Sequence, residues 1–119
     1  MQDLKLRTKK FNLDCIAFCK TIPKSREFDS LVRQLIRSSS SVGANYRAAN
    51  PAKSDKDFIN KLKIVEEEAD ESMYWLEIFK EILFVNDEEN ERLIKEASEL
   101  VAITVSSIMT VRKRLNNNR

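Results

Sequence analysis

Apolar residues recur along this chain at the three- and four-residue spacing of an α-helix, in four stretches separated by short polar turns. The first stretch predicts a helix over about 4–21. Its apolar side consists of Phe11, Cys15, Phe18, Cys19 and Ile22. Pro23 ends this helix, and Ser25 can cap the first turn of a second one, predicted over 25–49.

The second predicted helix contains four consecutive serines, residues 38–41, and the one glycine of the chain, Gly43. Serine and glycine are common in flexible linkers. Here the apolar positions keep their helical spacing through it, from Phe28 to Tyr46, despite the low helix propensity of serine and glycine. The break comes only at Asn50-Pro51, because proline disfavours helical geometry in the residue before it. We therefore predict that the serines are helical and that the turn follows them.

The third helix is the clearest, because its apolar side runs without interruption from Phe58 to Leu83. Ser54 and Asp57 resemble a capping box at its start, and the pattern predicts a helix over 54–85.

A fourth helix is predicted over 87–115, with Asn86 or Asp87 as its N-cap and an acidic first turn that suits the helix dipole. Four amphipathic helices joined by short turns predict an all-α fold, an antiparallel up-down-up-down four-helix bundle. The length of 119 residues predicts that 1–119 form a single domain. No apolar run is long enough to span a membrane and no signal peptide is visible, which predicts a cytoplasmic protein without membrane contact.

The composition gives little support for a catalytic site or a metal site. The chain has no histidine, and Cys15 and Cys19 lie one turn apart on an apolar stripe, which is typical of buried thiols. No phosphate-binding glycine loop is present. The best candidate for an enzyme pocket is Ser41 with Asn45, but a serine without an activating base is a poor nucleophile. We expect no enzyme, no metal and no cofactor.

The net charge of +2 hides an uneven distribution along the chain. Residues 1–63 carry fourteen Lys and Arg against six Asp and Glu, or +8, whereas residues 64–119 carry seven against thirteen, or −6. The basic residues of the second helix and the following turn predict a candidate nucleic-acid-binding strip. Its members are Arg33, Arg37, Arg47, Lys53 and Lys56. The alternative is that these side chains are solvated, or pair with the acidic third and fourth helices.

Two further stripes predict contacts beyond the core of one bundle. Small and amide residues line one side of the second helix, which suits close helix packing, a contact between subunits, or a polar pocket. They are Gln34, Ser38, Ser41 and Asn45.

A second apolar stripe on the third helix predicts a homo-oligomer interface. It consists of Ile64, Trp75, Ile78 and Ile82. The alternative is that the N-terminal segment covers it, with Leu4 and Leu6 over Trp75.

The run from about Pro23 to Leu83 resembles the central signature of the 23S rRNA intervening-sequence protein family, also called four-helix-bundle proteins. It combines the serine-rich helix, an N-x-x-x-A segment and an S-x-x-x-F start of the third helix. The positions that match are Pro23, Phe28, Leu31, Gln34, Arg37, Ser41, Val42, Asn45, Ser54, Phe58, Leu62, Glu71 and Leu76. Many relatives continue after the asparagine with Ile-Ala-Glu-Gly, whereas residues 46–49 here are Tyr-Arg-Ala-Ala, so a role that needs that glutamate is not expected.

The resemblance implies an antiparallel four-helix bundle that assembles into a ring-like homopentamer. Some members of the family are encoded inside intervening sequences of large-subunit ribosomal RNA genes, which suggested a connection to RNA. The similar accessory protein of diversity-generating retroelements forms a basic pentamer that engages a reverse transcriptase and nucleic acid. No biochemical activity follows from the resemblance.

Two functions remain open at this point. In the first, an oligomer gathers the basic strip and the basic helix ends, "KLRTKK" and "RKR", into a multivalent surface for RNA phosphates. In the second, the bundle is an oligomeric scaffold or protein-interaction module whose acidic third and fourth helices contact a protein, such as one that processes nucleic acid. The bundle itself then has no nucleic-acid contact.

Overall fold

The computed structural model describes residues 3–83 and 87–117. These residues form four α-helices and no strand. The helices are α1 (Leu4–Cys19), α2 (Arg26–Ala49), α3 (Asp55–Leu83) and α4 (Glu88–Asn117). Their ends lie within two residues of the predicted ones wherever the chain is described; the predicted end of the third helix at 85 lies outside the described residues. None of these four helices has a stretch long and apolar enough to cross a membrane.

The helix starts depend on side chains that bond the free N–H groups of the first turn, as the sequence predicts. The Ser25 hydroxyl accepts a hydrogen bond from the Phe28 N–H at 3.0 Å. The Ser54 hydroxyl accepts one from the Asp57 N–H at 3.1 Å. The Asp87 carboxylate accepts two from the first turn of α4. Asp87 is therefore the N-cap of α4, and the other candidate, Asn86, lies outside the described residues.

The helices pack in sequence order, each antiparallel to the one before, and α1 closes the bundle against α4. Interhelical hydrogen bonds show the direction. Arg7 reaches Glu96 on α4, whereas Asp14, further along α1, reaches Arg92, earlier on α4. The result is a rod of 54 × 22 × 22 Å. The predicted all-α, up-down-up-down four-helix bundle is confirmed.

The core runs along the axis of the bundle in two clusters. In the larger one, α1 and α3 meet across the diagonal, where the rings of Phe18 and Phe79 form an edge-to-face contact at 5.9 Å. The smaller cluster holds together the end formed by α2, α3 and α4. Its buried members are Ala49, Ile59, Leu62, Ile108 and Val111. Burial of these apolar side chains is the main stabilising contribution to the fold.

The serine-rich segment is helical and packs against both neighbouring helices. On the α3 side, the Ser38 hydroxyl is fully buried and lies 2.8 Å from the Ser72 hydroxyl. On the α1 side, the Asn12 amide donates to the hydroxyls of Ser39 at 3.1 Å and Ser40 at 3.0 Å. Side chains of this size leave room for α1 and α3 to approach α2 closely. The small residues are therefore packing residues of the bundle.

A larger side chain at Ser38 is expected to destabilise the protein. Ser38→Leu should lower the free energy of unfolding by about 1–3 kcal/mol, because the space between α2 and α3 is already filled. The control is Ser30→Leu, the same change at an exposed position of the same helix. Urea unfolding followed by circular dichroism measures both. An unchanged midpoint for Ser38→Leu would contradict the close α2–α3 contact.

Candidate functional site

The predicted basic strip divides in the structure, because one of its five residues is held by α3. The Arg37 guanidinium donates to the Glu68 carboxylate at 3.1 Å and pairs with Glu71. For this residue the alternative interpretation of the sequence, pairing with the acidic third helix, is the observed one. Arg37 thus joins α2 to α3.

The other four members of the strip are exposed cations. Arg33 and Arg47 lie on the outward side of α2, and Lys53 and Lys56 lie in and just after the turn that leads to α3. Within residues 3–83 and 87–117 none of their charged groups has a carboxylate partner. They are therefore available to an external anion.

In the folded chain Arg47 lies near two basic residues that are distant from it in the sequence. It lines a groove between α1 and α2 whose opposite side carries Lys5 and Lys9. In the sequence these lysines belong to the basic run "KLRTKK", which was expected to join the basic strip only through assembly of an oligomer. Their proximity to Arg47 depends on how α1 is rotated against α2, and the hydrophobic pattern defines that rotation only coarsely. The second basic end is partly neutralised, since Arg114 pairs with Asp55 at 3.1 Å.

The second apolar stripe of α3 reaches the surface. Ile64 is 39% exposed and Ile82 is 37% exposed, while Trp75 and Ile78 are half-buried. The Trp75 indole donates to Glu71 at 3.1 Å. The exposed ring of Tyr74 packs edge-to-face on Trp75 at 5.0 Å and extends the surface.

The N-terminal segment does not cover this stripe. α1 lies diagonally across the bundle from α3, and the side chain of Leu6 is 65% exposed. The alternative in which Leu4 and Leu6 shield Trp75 is therefore excluded. We call the set Ile64, Tyr74, Trp75, Ile78 and Ile82 the apolar face of α3.

The stripe of small residues requires a correction. Ser38 was a candidate for the oligomer interface, but it is fully buried inside the single chain against Ser72, so it cannot contact another subunit. Ser41 and Asn45 are half-buried, and the Asn45 amide donates to the Ser41 carbonyl at 2.9 Å. This bond lies within α2 and gives the Ser41 hydroxyl no activating base.

The two thiols lie inside the bundle. Burial raises the pKa of Cys15 to about 12, helped by the neighbouring Cys19, and burial alone raises the pKa of Cys19 to about 11. Both groups are therefore neutral thiols near neutral pH. In the part of the chain that the structure describes, no group of three or more Cys, Asp or Glu side chains is arranged to hold a metal ion.

The comparisons with known proteins agree on one family. The family model for the 23S rRNA-intervening sequence protein matches residues 3–106. A solved crystal structure, that of a protein with unknown function from the S23 ribosomal protein family of Bacteroides thetaiotaomicron, is 31% identical to the chain with a TM-score of 0.81. The alignment covers 89% of this chain and 98% of that one. No curated protein gives a significant match.

The buried thiols are expected to be unreactive in the folded protein. At pH 8, a disulfide reagent such as DTNB should modify neither Cys15 nor Cys19 until the protein is unfolded in denaturant, where both should react. Absorbance at the thiolate product wavelength measures the reaction. Rapid modification of either thiol in the native protein would contradict the burial described above.

Proposed function

Because the chain belongs to the 23S rRNA-intervening sequence protein family, we propose that it is a non-enzymatic homo-oligomer that binds RNA through the exposed cations on and after α2. The observation that carries this proposal is the set of exposed, unpaired basic residues on α2 and around the turn that follows it. They are Arg33, Arg47, Lys53 and Lys56. Cations without carboxylate partners can exchange their counterions for RNA phosphates, and the release of those counterions favours binding.

Two arginines that are held by carboxylates contrast with this group and support the assignment. Arg7 pairs with a carboxylate of α4 and Arg37 with carboxylates of α3, each across a contact between two helices. The acidic residues of α3 and α4 therefore neutralise cations at the helix contacts. The exposed group over α2 and its turn keeps its charge.

Oligomerisation would increase the affinity of this modest surface. Several copies of a weakly basic patch on one particle engage a long polyanion together, so their binding energies combine. The apolar face of α3 supports such association, because exposed aromatic and isoleucine side chains in one patch are typical of protein interfaces. The resemblance to family members implies a ring of five copies.

A second candidate function is an oligomeric scaffold that contacts protein rather than nucleic acid. The ion pairs of Arg37 with Glu68 and Glu71 favour it, because they show that an arginine predicted to face phosphate is used within the bundle. The two candidates share the oligomer and differ in whether RNA binds.

The oligomer has a direct test in sedimentation velocity at micromolar concentration. The wild-type chain should sediment well above its monomer mass of 13.8 kDa, and Ile82→Glu should shift it towards monomer, because a charge in an apolar interface is costly to bury. Leu13→Glu, at an exposed position of α1, is the control and should leave the assembly intact. A monomeric wild-type protein would rule out the oligomer.

RNA binding is tested by filter binding with a labelled single-stranded RNA of mixed sequence. Binding should weaken by about tenfold or more between 50 and 200 mM salt, as expected for several phosphate contacts. The triple variant Arg33→Gln, Lys53→Gln, Lys56→Gln should bind more weakly than the equally charged control Lys20→Gln, Lys24→Gln, Lys63→Gln. Absence of RNA retention at 50 mM salt would leave the scaffold as the function.

A further inference from the structure

We propose that the groove between α1 and α2 is a phosphate-binding site that holds the backbone of a single RNA strand. This inference rests on the proposed RNA binding and extends the proposed surface from Arg47 on α2 to two lysines on α1. Lys5 and Lys9 lie one helical turn apart on the α1 side of the groove, and Arg47 lies on the α2 side. All three side chains are exposed.

The floor of the groove is made of residues with little or no side chain. Ser40, Gly43 and Ala44 present one turn of α2 along its bottom, so the backbone of α2 is approachable there. A Cβ placed on Gly43 would lie 3.5 Å from the Thr8 carbonyl oxygen, which shows how closely α1 approaches at this point. The space above this floor has a volume of about 430 Å³, enough for part of a nucleotide chain.

The groove is rigid because the two helices are bonded to each other at one end of it. The Asn12 amide lines the groove and donates to the hydroxyls of Ser39 and Ser40 on α2. The helix backbones on either side of the groove therefore do not have to be brought together when a ligand binds.

No carboxylate lines the groove, and its cations have no ion-pair partner among the described residues. The nearby acidic side chains on α1 are otherwise engaged: Asp3 caps the first turn, and Asp14 bonds to Lys10 and Arg92. Three like charges along a concave surface focus a positive potential that attracts an anion. The groove therefore differs from the surface at Arg37, where carboxylates of α3 already neutralise the guanidinium.

The shape of the groove selects one strand over a duplex. The groove is narrow, because the axes of two packed helices lie only about 8–10 Å apart and the helices touch along its floor. A single backbone fits along such a groove, whereas a double helix is too wide to enter it. Leu6 lines the groove and is 65% exposed, which offers an apolar surface to a ribose or a base beside the bound phosphates.

The test uses fluorescence anisotropy of the full-length protein with a labelled twelve-nucleotide uridine RNA. Ala44→Leu fills the groove without a change of charge and should weaken binding about tenfold. Lys5→Gln with Lys9→Gln should weaken it at least as much and reduce the slope of log affinity against log salt by about 1.4, the value for two single-strand phosphate contacts. The control Lys20→Gln with Lys24→Gln removes the same charge at the opposite end of α1 and should change affinity less than threefold.

Circular dichroism and sedimentation of each variant establish that the fold and assembly are retained. The double lysine variant changes only exposed positions, so it tests the groove independently of Ala44→Leu.

Uridine monophosphate and inorganic phosphate at millimolar concentration should displace the labelled RNA only weakly. Complete displacement by either would assign the groove to free phosphate compounds and overturn the RNA backbone as its ligand. If the wild type binds RNA and both groove variants bind it equally well, the groove is not the site, although RNA binding elsewhere on the protein stands. If the wild type binds no RNA at 50 mM salt, the proposed function and the groove both fail.

Discussion

The close approach of α2 to its two neighbouring helices is the constraint on which the rest of the structure depends. On one flank the hydroxyls of Ser38 and Ser72 are 2.8 Å apart in a fully buried position, and on the other Gly43 lies against the backbone at Thr8. Serine and glycine lower helix stability relative to alanine by up to about 1 kcal/mol each, and packing against α1 and α3 offsets this cost. A helix covered on both flanks and on its core side has one outward side left, and its unpaired cations lie there.

The same constraint explains the uneven charge of the chain. Arg7 and Arg37 cross helix contacts to reach carboxylates of α4 and α3, so part of the difference between the basic first half and the acidic second half serves the packing of the bundle. Arg33 and Arg47, on the outward side of α2, have no such partners among the described residues. The two interpretations of the charge pattern therefore apply to different residues of the same helix. The proposed RNA contact concerns only cations of the unpaired kind.

The local features of this fold were predictable from the sequence, and those that depend on the rotation of one helix against another were not. Ser25, Ser54 and Asp87 are N-caps because capping depends on residues within one turn, and the helical phase through the serines is a local pattern as well. The burial of Ser38 against Ser72 and the placement of Lys5 beside Arg47 join residues more than thirty positions apart. A small change in that rotation decides whether a residue near the edge of the buried side of a helix is buried or exposed.

Hydrogen exchange along α2 tests most directly whether the serine-rich segment is a packed helix. The backbone amides of residues 38–43 should exchange only through global unfolding, with protection equal to that of the core amides of α3 around Leu62–Ala69. Under conditions that stabilise the folded protein, the exchange rates of these amides and of the α3 core amides should fall by the same factor. Exchange of residues 38–43 within seconds to minutes in the native protein, while the α3 core stays protected, would show that the segment is not held between α1 and α3 and would contradict the structure of the site built on it.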